Sequence, residues 1–140
     1  MAEQIQLEVV TPERRVLSEA VDSVTVPGMN GELGILPGHT PLISQLQTGV
    51  LSYSKGGATE RLHVSGGFVE VNADRVSVLA EIAERPEEID AARARLAREH
   101  AEKTLSAFTG TEEDFEVARA RLERSVVRLQ LATGAPNIQS

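Results

Sequence analysis

The sequence predicts a β + α chain. An antiparallel β-sandwich of eight to ten short strands fills residues 1–85, and an antiparallel two-helix hairpin fills residues 86–140. Three observations carry this prediction. Apolar residues alternate with period two before about residue 85, as on half-buried strands. Turn residues recur between those runs at near-regular spacing, the mark of a sandwich or barrel. Beyond Pro86 the apolar period becomes helical and charge density rises. The first 85 residues hold 11 acids and 6 Lys/Arg, and the last 55 hold 10 acids and 8 Lys/Arg.

The clearest alternating runs are Ile5-Leu7-Val9, Val24-Val26, Leu62-Val64 and Val76-Val78-Ala80. Between the strands stand Pro12, Pro27-Gly28, Asn30-Gly31, Pro37-Gly38, Gly49, Gly56-Gly57, Gly66-Gly67 and Asn72-Ala73-Asp74. The two Gly-Gly pairs read as hairpin turns, since neither opens a helix that would cradle a phosphate. The densest stretch is GELGILPGHTPLI, residues 31–43. Glycine supplies unusual backbone angles and proline fixes φ, so a strand must end, turn and restart there with little freedom. Two readings follow: a constrained turn, or a rigid presenting loop that holds Glu32 and His39 outward for a partner.

In the second part, Ile89, Ala92, Leu96, Ala97, Ala101, Leu105 and Phe108 fall on one helical face. Gly110 reads as a helix stop. Thr111 opens a T-x-x-D capping variant with Asp114. Phe115, Ala118, Leu122, Val126 and Leu129 form a second stripe, ended by Gly134 and Pro136. Acids in the first turn of that helix and arginines along its body suit the helix dipole. Both stripes are narrow and Ala-rich, so the hairpin is expected to dock weakly and to open, with residues 84–88 as its hinge.

Composition excludes several classes. A net charge of −7 argues against nucleic acid as a partner. No cysteine is present, hence no disulfide framework and no thiolate site. No apolar run approaches a membrane span, and the N-terminus lacks a signal pattern, so a soluble, unprocessed chain is expected. Of the three histidines none sits in a catalytic frame. His63 reads as a solvent-facing strand residue and His100 as a helix surface residue. One constellation stands out on the hairpin. If facing residues sum to about 219, Arg93 lies level with Arg124 and Arg128, each within about 3 Å along the axis at the helical rise. Such guanidinium groups bind phosphate, and Asp90 lies one turn before Arg93. The alternative is a solvated face of ordinary ion pairs: Asp90–Arg93, Glu99–Lys103 and Glu116–Arg119.

The chain resembles the ε subunit family of bacterial F-type ATP synthases nearly end to end. The resemblance is carried by LEVVTPE at 7–13, GELGILPGHTPLI at 31–43, VSGGFVEV at 64–71, VSVLAE at 76–81 and IDAARA at 89–94. It implies a non-catalytic rotor component whose sandwich (1–85) binds the γ stalk and the c-ring. Glu32 then faces the c-ring and His39 lies toward γ. It also implies a regulatory hairpin (86–140) that folds down or extends into the catalytic head and suppresses ATP hydrolysis. Arg119, Arg121, Arg124 and Arg128 are the residues that would meet the α and β subunits. Some family members bind ATP on the folded hairpin. Their motif corresponds here to Glu84, Ile89, Asp90, Arg93, Ala94, Arg124 and Arg128, with departures at His100 and Val117. No cofactor is required on this reading, and ATP is a regulatory ligand. The implied location is peripheral, on the cytoplasmic face of the bacterial inner membrane. The competing reading is a free-standing nucleotide or anion sensor built on the arginine patch.

Overall fold

A computed structural model describes residues 3–134, in two compact units that divide between Arg85 and Pro86. The first unit holds ten strands: β1 (Ile5–Val10), β2 (Arg15–Val21), β3 (Ser23–Gly28), β4 (Gly31–Ile35), β5 (Leu42–Gln45), β6 (Gly49–Lys55), β7 (Ala58–Ser65), β8 (Phe68–Asn72), β9 (Arg75–Leu79) and β10 (Ile82–Glu84). They form two five-stranded sheets, ordered β2-β1-β9-β8-β5 and β10-β7-β6-β3-β4. Pairing is antiparallel except between β1 and β9, which run parallel with Leu7 opposite Val76 and Val9 opposite Val78. Alternation alone does not distinguish the two pairings, because side chains alternate across a strand in either case.

The core lies between the sheets. Ile5, Leu7 and Val9 on β1 face it, as do Val69 and Val71 on β8 and Val76 and Val78 on β9, all at most 1% exposed. Burying each such side chain contributes about 1.5–3 kcal/mol, and with no Trp the sandwich relies on many branched aliphatics. The β1–β2 ladder slips between Val9 and Val10, so Val16 has no opposite number. That bulge explains why the adjacent Val16 and Leu17 are both buried, against strict alternation.

The two Gly-Gly pairs differ. Gly56-Gly57 closes the β6–β7 hairpin with positive φ at both residues, as expected. Gly66-Gly67 is not a hairpin turn: it carries the chain from β7 in one sheet to β8 in the other. A Cβ on Gly67 would lie 1.9 Å from the Leu79 carbonyl oxygen, so the corner closes only with glycine there.

The second unit contains a 3-10 turn (Pro86–Glu88), α1 (Ala91–Ser106) and α2 (Glu112–Thr133). The helices pack side by side, and a five-residue connection (107–111) makes them antiparallel. Gly110 does not stop α1: the helix ends at Ser106 with Ala107 as its cap, and Gly110 precedes the α2 cap. Thr111 caps α2 as expected, its hydroxyl accepting the Asp114 N–H at 3.1 Å. Gly134, with φ 67°, ends α2 in a left-handed cap; Pro136 lies outside the described residues.

The buried faces of the helices match the expected stripes only in part: Ala101, Ala118 and Leu129 are buried as expected. Ala92 and Ala97 are exposed and Leu96 is 66% exposed, while Ala94 and Ala101 are the buried residues of α1. On α2 the buried residues are Ala118, Ser125 and Leu129, and Phe115 is exposed. Ala94 plus Ser125, and Ala101 plus Ala118, each sum to 219, so small residues at seven-residue intervals share levels along the seam.

Candidate functional site

The stretch from Gly31 to Ile43 spans both sheets. β4 is the edge of one and β5 the edge of the other, and the turn Leu36–His39 joins them. Its stiffness has identifiable bonds. Gly38 N–H donates to Asp74 Oδ1 at 3.1 Å, tying the turn to the β8–β9 corner. His39 N–H donates to the Leu36 carbonyl at 3.1 Å. At its base Met29 N–H reaches the Gln45 carbonyl at 3.0 Å, and the Gln47 amide donates to the carbonyls of Gly28 and Met29 at 2.7 and 2.9 Å. Glu32 is exposed on β4. His39 is half-buried, with Nδ1–H donating to the Thr40 carbonyl at 2.8 Å. Neither residue belongs to the core.

A second surface was not singled out from sequence. Phe68 on β8 is opposite Leu79 on β9, and Leu79 is opposite Val10 on β1. The row lies on the outer face of its sheet, because Val69 and Val78 point inward. Phe68 is 48% exposed, Leu79 55%, and Ile43, diagonal to Phe68 on β5, 70%. Contiguous exposed apolar side chains mark interaction surfaces. The signal was legible: Phe68 and Leu79 break phase with the inward valines of their own strands.

On the hairpin, the structure assigns local work to the sequence motif. Asp90 is the α1 N-cap, its Oδ1 accepting the Arg93 N–H at 3.1 Å. That bond is to the backbone and replaces the expected side-chain pair. Ile89 is half-buried, and its N–H donates to the Pro86 carbonyl at 3.1 Å. Ala94 is buried, whereas Arg93 is exposed. Arg124 and Arg128 are half-buried on α2 and both are engaged. Arg121 and His100 are exposed, as is Val117 at 51%. Arg119 pairs with Glu116 at 2.7 Å, as expected, and also with Glu123. The hydrogen bond it donates to Glu116, then the charges of Glu123 and Glu116, push its guanidinium pKa further up. Arg98 and Glu102 approach to 3.6 Å one residue before the expected Glu99–Lys103 pair.

Two residues contradict or complicate their sequence reading. His63 is not solvent-facing: it is fully buried, with Nδ1 at 2.8 Å from Glu84 Oε1. Its outward phase on β7 holds, but the outward side of the strand is open at Thr59 and Arg61 and closed at His63. Glu84, expected with the hairpin motif, sits in β10 and bonds to His63.

These elements define a class: a ten-stranded β-sandwich followed by a separate helical hairpin. Residues 4–86 match the family described as the ATP synthase delta/epsilon chain β-sandwich domain, and residues 87–133 match its long α-helix domain. An ATP synthase epsilon chain of Geotalea uraniireducens is 44% identical over 135 residues, covering 96% of this chain and 98% of that one. One from Syntrophobacter fumaroxidans is 48% identical, covering 94% and 98%. A chain in the cryo-electron microscopy structure of the Euglena gracilis mitochondrial ATP synthase, OSCP/F1/c-ring in rotational state 1, superposes with TM-score 0.79 at 29% identity. That match covers 93% of this chain and 81% of the other. The Tetrahymena thermophila mitochondrial central stalk/c-ring structure shares the fold, with TM-score 0.63 at 15% identity. The chain belongs to the ATP synthase delta/epsilon chain family, among the bacterial epsilon chains, which are non-catalytic subunits of the complex.

Proposed function

We propose that this chain is a central-stalk rotor subunit of a bacterial proton-translocating ATP synthase. In this reading residues 1–85 attach to the γ stalk and the c-ring, and residues 86–140 regulate ATP hydrolysis. The observation that carries it is similarity across both units, at 44–48% identity, to chains named ATP synthase epsilon chain. The geometry supports two contact surfaces on the sandwich. Glu32 and His39 stand on a stretch bonded at its base and its turn, and the Phe68–Leu79–Val10 row offers an apolar face. A preorganised surface loses little conformational entropy on binding, which suits a part that transmits torque. The subunit is peripheral, on the cytoplasmic face of the inner membrane, and no helix of the described residues is long and apolar enough to cross it.

The first test is co-purification or gel filtration with the cognate γ subunit. Stable association is expected, and absence of binding sinks the proposal. The regulatory part is tested by ATP hydrolysis of the assembled enzyme with and without residues 86–140. Faster hydrolysis on deletion is expected, through loss of the contacts assigned to Arg119, Arg121, Arg124 and Arg128; an unchanged rate removes the inhibitory role.

A second reading, ATP or another phosphate-bearing anion on the hairpin, is favoured by the motif Ile89-Asp90-x-x-Arg93-Ala94 beside Arg124 and Arg128. Glu84 is the remaining candidate of that set. The variant must be chosen with care. Asp90→Ala removes the α1 cap and costs about 1 kcal/mol whatever it does to a ligand. Arg93→Ala is cleaner, since its exposed side chain caps nothing. ATP-dependent thermal stabilisation of the chain, lost in Arg93→Ala, is the expected result; an unshifted melt in the unaltered chain removes the site.

A further inference from the structure

His63 is the most anomalous side chain of the sandwich. Leu62 and Val64 fill the core, so His63 points to the other face of its sheet, yet it is 0% exposed. Nδ1 is 2.8 Å from Oε1 of Glu84, its directly opposite residue on β10. Nε2 is buried and has no partner among the described residues. Buried polar atoms without partners are rare, and each calls for a reason. A carboxylate accepts and does not donate, so Nδ1 carries a proton and gives it to Glu84. That bond is the one polar contact which rewards a buried imidazole at this position.

Its place in the chain gives it a use. β10 has three residues and lies at the edge of its sheet. So short an edge strand holds weakly by its backbone bonds alone. Side-chain bonds help to fasten its end. Glu84 is held within its own sheet by His63. The next residue, Arg85, donates from its guanidinium to the Val16 carbonyl at 2.9 Å, on the edge strand of the other sheet. Pro86 follows, and with no N–H it cannot extend the β10 ladder.

We propose that His63 and Glu84 form a clasp that closes the sandwich at Arg85, so that the segment joining the two units starts at Pro86. The expected hinge at residues 84–88 is thereby shortened at its front: Glu84 and Arg85 belong to the rigid body and flexing begins behind them. His63 acts as a positioning residue for the anchor of the second unit. The inference stands whether or not the chain works as a rotor subunit.

The test uses the full chain, with hydrogen exchange and 15N-edited imidazole spectra. In the unaltered protein the His63 Nδ1–H should appear as a slowly exchanging ring proton. Glu84→Ala should abolish that resonance and raise exchange at the Ile82, Ala83 and Glu84-position amides about tenfold, with the Leu51 and Leu62 amides unchanged. Glu84→Gln keeps an oxygen acceptor and should retain both the ring proton and the protection. Glu84 is half-buried, so its variants test the clasp even where His63→Ala fails to fold. Unchanged β10 exchange in Glu84→Ala overturns the proposal. So does a His63 proton found only on Nε2, or a rise in exchange spread equally over the central strands.

Discussion

Tyr53 on β6 is 4% exposed. Burial raises its phenol pKa above the ordinary 10.0, and the charge and hydrogen bond of Glu19 raise it further against an opposing pull from Arg85. The sign of the consequence is fixed by linkage. The unfolded chain releases this proton first, so the stabilisation is complete below the unfolded pKa. It is lost as pH rises from about 10 through the higher folded value. Denaturation midpoints measured upward from pH 9 should therefore fall more steeply in the native chain than in Tyr53→Phe. Equal slopes would mean that folding does not raise the phenol pKa. Glycine gives a second residue-scale prediction. Gly67 and Gly57 both have positive φ, but a Cβ on Gly57 meets nothing within 4 Å, whereas on Gly67 it strikes the Leu79 carbonyl oxygen. Gly57→Ala should cost about 1 kcal/mol in urea unfolding, the backbone penalty alone. Gly67→Ala should cost about 3 kcal/mol or more, because the corner between the sheets must also shift.

At the scale of elements, the strands were the most legible part of the sequence. One inward face per strand leaves a period-two trace, and Leu7, Val9, Val76 and Val78 all lie where alternation puts them. The helices were legible as helices and their facing in part, with Ala101, Ala118 and Leu129 buried as expected. Leu96, expected on the buried face of α1, is exposed, while Ala94, outside the expected stripe, is buried. Hydrophobicity favours the larger side chain, but two helices approach closely only where side chains are small, so the seam follows Ala and Ser at seven-residue intervals. The string Ile89-Asp90-x-x-Arg93-Ala94 was legible in the sequence. Its Asp90 caps α1 and its Ala94 packs in the helix seam, local tasks that a residue pattern does not reveal. The Phe108–Phe115 pair belongs to this scale as well. The rings meet edge to face at 5.4 Å and 76° across the connection between α1 and α2. A double-mutant cycle with Phe108→Leu and Phe115→Leu should give a coupling of about 1 kcal/mol. A coupling near zero would show that the connection is held by the Thr111 cap without help from the rings.

For the whole molecule, the two units differ in what holds them. Every residue of the sandwich core lies between Ile5 and Ala83, and two of the bonds at its end, Glu84 to His63 and Arg85 to Val16, close within the same unit. The hairpin buries Ala94, Ala101, Ala118, Ser125 and Leu129, of which only leucine is large. Helices of 16 and 22 residues are marginal in water without a buried face. A chain ending at Arg85 should therefore keep a cooperative thermal transition, within about 8 °C of the full chain, the shift expected for roughly 1 kcal/mol in a domain of this size. A fragment of residues 86–140 should show partial helicity that declines gradually on heating. This asymmetry is what makes the hydrolysis comparison interpretable. If the sandwich melts alone as it does in the full chain, a rate change on deleting residues 86–140 reports the loss of the hairpin and not the collapse of the sandwich. If the shortened chain has no cooperative transition, the sandwich depends on its second unit, and regulation must then be probed by point substitutions such as Arg121→Ala, whose exposed side chain leaves both folds intact.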